Sequence, residues 1–395
     1  MNFESLKHLE HEHVMQTYGR FDLAIDHGQG SLLYDLQGNE YIDMTSGIGV
    51  NALGHNYLPL VQAIQNQATK ILQASNLFYT EPMVDVAQKL NQASGMKKVF
   101  FANSGAEANE GMIKIARKYS WDHYHDENRL VILTLKQSFH GRTIATLEAT
   151  GQDHFHQNFF PFTNGFDYIP ANDIQALQNY FATHKIAGLM MELVQGESGV
   201  RPLDPQFVCE AAKLCQKHDV LLMIDEVQTG IGRTGKFFAY QHYGIEPDLV
   251  SCAKGLGGGV PIGAVLANTK CQDVLQAGDH GTTFGGNPLA ASAARVVIDT
   301  VSAPEFLNDV QDKGTWFMDE LKKLNLSKVK DVRGLGLMIG IEVAPEEVMD
   351  DLTKLRQKGI LALKAGTATI RFLPPLIIEK QQLQTVLDVC KEVLG

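Results

Sequence analysis

Long apolar runs are missing from this sequence. The longest, such as VLLMI at 220–224, fall far short of the about 20 residues of a membrane-spanning helix, so no membrane partner is expected. Cysteine is scarce. Cys209, Cys215, Cys252, Cys271 and Cys390 form no Cys-x-x-Cys pair, which excludes a zinc ribbon or disulfide scaffold and fits reduced thiols. Positive charge is in deficit, with 34 Lys and Arg against 45 Asp and Glu. The resulting net charge of -11 repels phosphate backbones and anionic lipid, so nucleic acid is not expected as a partner. Any anionic ligand must be held by local cations. Internal repeats, low-complexity tracts and Pro/Gly/Ser linkers are also absent. The opening MNFESLKHLEHEH has neither the apolar stretch of a signal peptide nor the Arg-rich face of a transit peptide, so a cytoplasmic protein is expected. What is present is a 44% apolar content over 395 residues, enough to bury a large core in two or three domains.

The middle of the chain alternates short apolar runs with helical periods. VFFAN (99–103) reads as a strand and EANEGMIKIARKYS (107–120) as a helix. Further strands are expected at 130–135, 186–193, 220–225, 248–253 and 262–267. A helix is expected at 207–218, where Val208, Ala211, Ala212 and Cys215 share a face. Continuous apolar strands spaced by helices predict a mostly parallel, doubly wound α/β sheet covered on both faces. The ends read differently. Residues 20–45 look like short strands with turns at His27-Gly28 and Gln37-Gly38-Asn39, after which Leu60, Val61, Ile64, Ala68, Ile71 and Leu72 trace one helical face. After Asn287 come a helical stretch, GLGLMIGIEV, IRFLPPLII and a closing amphipathic helix from about 379 to 393. The expected organisation is a large α/β domain over 51–290 and a smaller α+β domain built from 1–50 and 291–395.

Three features could carry chemistry. Ser104-Gly105-Ala106 lies between a predicted strand and a predicted helix, where free backbone N–H groups and the positive helix end can hold a phosphate. The plainer alternative is a βα loop with Ser104 as helix cap. Asp225 ends the strand VLLMI and so reaches the carboxyl edge of the sheet, where α/β ligands bind; it could equally open the next loop. Lys254 ends LVSCA beside Gly255-Leu256-Gly257-Gly258-Gly259. A lysine there is either solvated or desolvated, and in the second case becomes a nucleophile toward carbonyls. Together, a phosphate cup, a carboxylate and a nucleophilic lysine are what pyridoxal phosphate requires. GIGRTG (230–235) matches a dinucleotide fingerprint formally, but it neither follows a strand directly nor opens a long helix, so a nicotinamide or flavin site is not expected. No set of His, Cys and carboxylate has metal-ligand spacing.

Seven motifs then occur in a recognisable order: FFANSGAEANE (100–110), SFHGRT (138–143), VQGESGV (194–200), IDEVQTGIGRTG (224–235), AKGLGGGVPIGAV (253–265), TTFGGNPLA (282–290) and IRFLPPLI (370–377). From about Gly19 onward the chain resembles the class III pyridoxal-phosphate aminotransferases, most closely the acetylornithine branch. Two departures are local: Leu193 follows Glu192 where the family usually has Pro, and Gly255 follows Lys254 where Ala is commoner.

The resemblance implies a fold-type-I aminotransferase with pyridoxal 5'-phosphate as cofactor. Lys254 is then the lysine that condenses with the cofactor and later moves the proton. Asp225 pairs with the ring nitrogen, Gln228 hydrogen-bonds the ring oxygen, and Val227 and Phe139 flank the ring. Ser104, Gly105 and Ala106 form the phosphate cup. Thr283 reaches the phosphate of the neighbouring subunit's cofactor, so a homodimer with shared active sites is expected. Arg142, with Thr282 near it, binds a substrate carboxylate; Arg371 binds the α-carboxylate of glutamate or 2-oxoglutarate, and Glu197 is its switchable partner. The implied reaction passes the terminal amino group of N2-acetylornithine to 2-oxoglutarate. Succinylornithine, ornithine or 4-aminobutyrate is the alternative donor. Ornithine aminotransferases carry a tyrosine in the segment matching Ser46-Gly47-Ile48-Gly49-Val50, which here holds only small and aliphatic residues and so suits an uncharged acyl amide.

Overall fold

The computed structural model describes all 395 residues. After an N-terminal helix, Ile25–Gln29 (β1), Leu32–Asp35 (β2) and Glu40–Asp43 (β3) form an antiparallel meander. Its second reversal is at Gln37-Gly38-Asn39, as expected. Asp35 Oδ1 accepts from the Gln37 and Asn39 N–H groups, each at 2.9 Å, and Gly38 takes the left-handed φ of +82°. The other expected turn is misplaced. His27-Gly28 lies inside β1, and the chain reverses at Gly30 instead (φ +57°). Gly28 is small for another reason: a Cβ there would lie 2.6 Å from the His55 ring.

The central sheet contains Lys98–Ala102 (β4), Ile132–Leu135 (β5), Phe166–Ile169 (β6) and Gly188–Met191 (β7). A two-stranded ribbon, Val194–Gln195 (β8) with Arg201–Pro202 (β9), follows. Leu221–Asp225 (β10), Leu249–Cys252 (β11) and Gly263–Ala267 (β12) complete the sheet in the order β4-β12-β11-β10-β7-β5-β6. Strands β5, β7, β10, β11 and β12 are buried at every position, which is why they read as continuous apolar runs. Strand β12 runs antiparallel to both neighbours. Only a 3₁₀ turn at Lys254–Gly257 and a glycine-rich loop separate it from β11, too little chain for the crossover that a parallel return requires.

Helices Pro288–Val301 and Pro304–Lys323 lead to the C-terminal strands Asp331–Leu335 (β13), Met338–Glu342 (β14), Ile360–Leu361 (β15), Leu363–Ala365 (β16) and Thr369–Phe372 (β17). The closing helix is Lys380–Leu394. Strand β15 joins the N-terminal meander by pairing parallel to β3, Ile360 opposite Ile42. One apolar core runs without a break from Leu133 in β5 through Val250 in β11 to Phe317 and Leu383 near the C-terminus. The helix expected from Leu60 onward is Leu58–Ala68; Ile71 and Leu72 lie beyond it and are exposed. No helix is long and apolar enough to cross a membrane.

Candidate active site

Strand β4 delivers Asn103 and Ser104 to the start of helix Gly105–Tyr124. Ser104 caps it, its hydroxyl accepting from the Glu107 N–H at 3.2 Å. The first-turn N–H groups of Gly105 and Ala106 have no partner within the helix and sit at its positive end. Glycine is required at 105, because a Cβ would lie 2.6 Å from Val227 Cγ1. These residues open onto a cavity of about 580 Å³ that is also lined by Phe139, Arg142, Asp225, Val227, Gln228 and Lys254. The three sequence features therefore meet in one place, at the carboxyl edge of the sheet.

Asp225, the last residue of β10, is buried with donors on both oxygens. Oδ2 accepts from Asn109 Nδ2 at 2.7 Å and His140 Nδ1 at 2.8 Å, and Oδ1 from the Val227 N–H at 2.9 Å. Such convergence suits a negative charge. Lys254 follows β11 in a left-handed conformation (φ +43°), a strain that aims it out of the strand line. Burial holds its amine below the ordinary lysine range. Glu197, Asp225 and Glu192 pull the other way, and Arg371 adds to the lowering. Glu192 also lines the cavity; burial first, then the Asp225 charge, keeps its carboxyl well above the usual range. Its Oε1 accepts from the Phe139 N–H at 2.8 Å and so fixes that peptide.

Arg371, on β17, is 2% exposed. Its Nη1 donates to Glu197 Oε1 at 2.7 Å and to Gln228 Oε1 at 3.2 Å, while Gln228 Nε2 donates to Glu197 Oε1 at 3.0 Å. Burial works to raise the Glu197 carboxyl, but the Arg371 and Lys254 charges outweigh it and hold the group below its ordinary value. Arg142 stacks on Phe155, with its guanidinium carbon 3.9 Å from the ring centroid.

Thr282 and Thr283 are not part of the cavity formed by their own chain. Thr282 lines a separate groove with Met83 and His280, and its hydroxyl accepts from Asn103 Nδ2 at 3.0 Å; Thr283 is exposed. Asn103, which lines the cavity, thus stands between it and Thr282 of the same chain. The loop 230–235 opens no helix, and its Arg233 is a buried tie. Nη1 donates to the Leu337 and Pro374 carbonyls at 3.0 and 2.5 Å, and burial pulls the guanidinium down to about 9.

Asn109, His140, Glu192 and Tyr18 line the cavity without having been assigned roles from the sequence. Asn109 is a polar residue on the apolar face shared by Ala108 and Met112, which was a usable signal. His140 lies inside SFHGRT, and Glu192 interrupts the apolar stretch 186–194.

The cavity fits pyridoxal phosphate. Its wall offers unpartnered helix-end N–H groups for the phosphate, the apolar side chains of Val227 and Phe139 for a ring, a carboxylate and a desolvated amine. His140 Nε2 and Asn109 Oδ1 are buried without a hydrogen-bond partner, which leaves polar capacity on that wall.

Comparison with known proteins agrees. The family model for aminotransferase class-III matches residues 14–394. The acetylornithine aminotransferase of Haemophilus ducreyi is 50% identical over 100% of both chains. An ornithine aminotransferase structure from Toxoplasma gondii, described with partial PLP occupancy at its active site, superposes with TM-score 0.96 at 30% identity, covering 100% of this chain and 94% of its own. The acetylornithine aminotransferase structure from Elizabethkingia anophelis gives TM-score 0.90 at 33% identity over 100% and 99%. Matched over nearly its whole length, the chain belongs to the class-III aminotransferases.

Proposed function

We propose that this protein transfers the terminal amino group of N2-acetylornithine to 2-oxoglutarate, giving N-acetylglutamate 5-semialdehyde and glutamate. The observation that carries the reading is the buried Arg371–Glu197 pair at 2.7 Å beside Lys254. Glutamate presents an α-carboxylate next to its reacting carbon, which an arginine can bind bidentately; an ω-amine presents only methylene there. A guanidinium that must serve both needs a removable counter-charge, and Glu197 supplies it. Full-length relatives named for the acetylornithine reaction support the same substrate.

Pyridoxal phosphate supplies the electron sink that stabilises charge developing on the substrate's terminal carbon. In this reading, Gly105 and Ala106 hold its phosphate through their N–H groups, helped by the Ser104 hydroxyl. Asp225, braced by Asn109 and His140, keeps a proton at the ring nitrogen. Gln228 has a second amide hydrogen for the ring oxygen. The Lys254 amine, lowered by burial, is free to attack a carbonyl and then to carry a proton at the substrate's terminal carbon. Arg142 binds the distal carboxylate, with Tyr18 on the same cavity wall. No charged partner for a free α-ammonium stands in the 46–50 segment, where Ser46 Oγ is spent on the Leu373 carbonyl at 2.5 Å. An acyl amide suits such a wall better than an ammonium does.

The same reading takes the working unit as a homodimer with shared active sites, Thr283 of each chain serving the other's phosphate. Asn76 Nδ2 donates to the Thr282 and Gly285 carbonyls at 3.2 and 3.0 Å, which joins the exposed Leu77, Phe78 and Tyr79 to the loop that carries exposed Phe284, apolar surface that a second copy would cover. It also divides the chain into a large domain, 51–290, and a small one from 1–50 and 291–395, for which the β3–β15 pairing speaks. Purified holoenzyme given N2-acetylornithine and 2-oxoglutarate should form glutamate and the semialdehyde in equal amounts. No glutamate would refute the proposal.

A further inference from the structure

A second and larger cavity, about 1260 Å³, lies behind one wall of the cofactor cavity: its Glu197 accepts from Gln228 Nε2 at 3.0 Å, and its Phe155 packs edge-on to Phe139 at 5.9 Å, both partners lining the cofactor cavity. Its walls carry Lys136, Lys364, Arg201, Arg333 and His154 against a single carboxylate, Glu197. Arg333 is consumed by Asp331 at 2.8 Å and Glu342 at 2.7 Å, and Arg201 reaches Glu342 only at 4.0 Å. Lys136 and Lys364 are exposed, and neither takes part in any of the chain's ion pairs. Two of its wall residues touch the arginines assigned to substrate carboxylates, though neither arginine lines it. Glu197 on its wall pairs with Arg371, and Phe155 on its wall carries Arg142. On a chain of net charge -11, a polar cavity with two unpaired lysines, set one residue away from two arginines, is a local reversal of the global field.

We propose that this cavity is the entry vestibule for the dicarboxylate substrate, in which Lys136 and Lys364 concentrate the 2-oxoglutarate dianion before Arg142 and Arg371 bind it. The inference rests on the functional reading above and adds a residue-level basis for substrate choice. The two lysines act on encounter and weak binding; they do not touch the reacting atoms. Charge counting gives the selectivity. 2-Oxoglutarate carries two negative charges. N2-acetylornithine, with one carboxylate and one ammonium, is neutral, and free ornithine carries one net positive charge. The vestibule therefore draws in the oxo acid, is indifferent to the acylated donor and disfavours ornithine.

The test is the ionic-strength dependence of kcat/KM for the holoenzyme between about 20 and 300 mM salt, a range over which the Debye length falls from roughly 20 to 6 Å. For 2-oxoglutarate, kcat/KM should fall about five- to tenfold, and for N2-acetylornithine less than about twofold. The double variant Lys136→Gln/Lys364→Gln should lose about five- to tenfold for 2-oxoglutarate at low salt and flatten the salt dependence, while Lys136→Arg/Lys364→Arg restores both. Calorimetric binding of glutarate, an unreactive dicarboxylate, should show the same salt dependence and the same loss. An unchanged salt slope in the glutamine variant overturns the vestibule and leaves the aminotransferase reading intact. A holoenzyme that does not use 2-oxoglutarate at all overturns both.

Discussion

On the proposed switch, Glu197→Ala should separate the two half-reactions. The Arg371 side chain is 3% exposed and that of Glu197 28% exposed, so the pair is buried on one side and reachable by water on the other. On the proposed switch, glutamate has to displace Glu197 from Arg371 before its own carboxylate can bind. In the variant that step is gone. The guanidinium keeps only Gln228 Oε1 at 3.2 Å, and its Nε has no partner in either case. A hydrogen bond to a charged group contributes about 1.5–3 kcal/mol, and the exposure of Glu197 places this one near the lower end, about 1.5–2 kcal/mol. The ratio of kcat/KM for glutamate to that for N2-acetylornithine should therefore rise about 10- to 30-fold. The gain has two sources: glutamate no longer competes with an internal carboxylate, and the acylated donor places methylene against an uncovered cation. Single-turnover absorbance traces of each half-reaction measure the ratio directly. Equal losses in both halves would refute the switch.

Lys254→Ala should retain cofactor in the phosphate cup but show no turnover, and borohydride reduction of the unmodified holoenzyme followed by peptide mapping should find the label on Lys254 alone. Asp225→Asn keeps the shape but removes the charge, so kcat should fall on the order of 100-fold or more while cofactor retention changes far less; near-normal kcat would count against the role. Glu226, fully buried next to Asp225, is raised by burial to about 7. Its folded-state value lies above the unfolded one, so its stabilising share is complete below about 4.5 and is lost as pH rises through about 7. Glu226→Gln should therefore raise stability by about 3 kcal/mol at pH 8 and by little at pH 5, read from thermal melts at both; an equal shift at both pH values would contradict this.

The sequence exposed the parts of the fold that are buried on two faces. Strands β5, β7, β10 and β11 are buried at every position and apolar apart from Thr134, Asp225 and Ser251, because helices cover both sides. Strand β6 (FDYI) went unseen because it lies at the sheet edge and is half polar. The direction of β12 is not an apolar pattern at all; it follows from the short connection after Lys254. Gly105, Asp225 and Lys254 were legible because each ends or follows a strand, and strand ends converge at one edge. Asn109, His140 and Glu192 were not assigned, since their partners lie far along the chain. Asn109 is 116 residues from Asp225, His140 is 85 from it, and Glu192 is 53 from Phe139. The place of Thr282 relative to Arg142 comes from the family resemblance alone; within its own chain Thr282 packs behind Asn103.

The most direct test of the central claim compares two donors that differ only at the α-nitrogen. With 2-oxoglutarate saturating, the account predicts kcat/KM for N2-acetylornithine to exceed that for ornithine by about two orders of magnitude or more, because the cavity would otherwise bury an unpaired ammonium beside Arg142. Equal values for the two donors would contradict the acylornithine assignment and leave the membership of the class-III family standing.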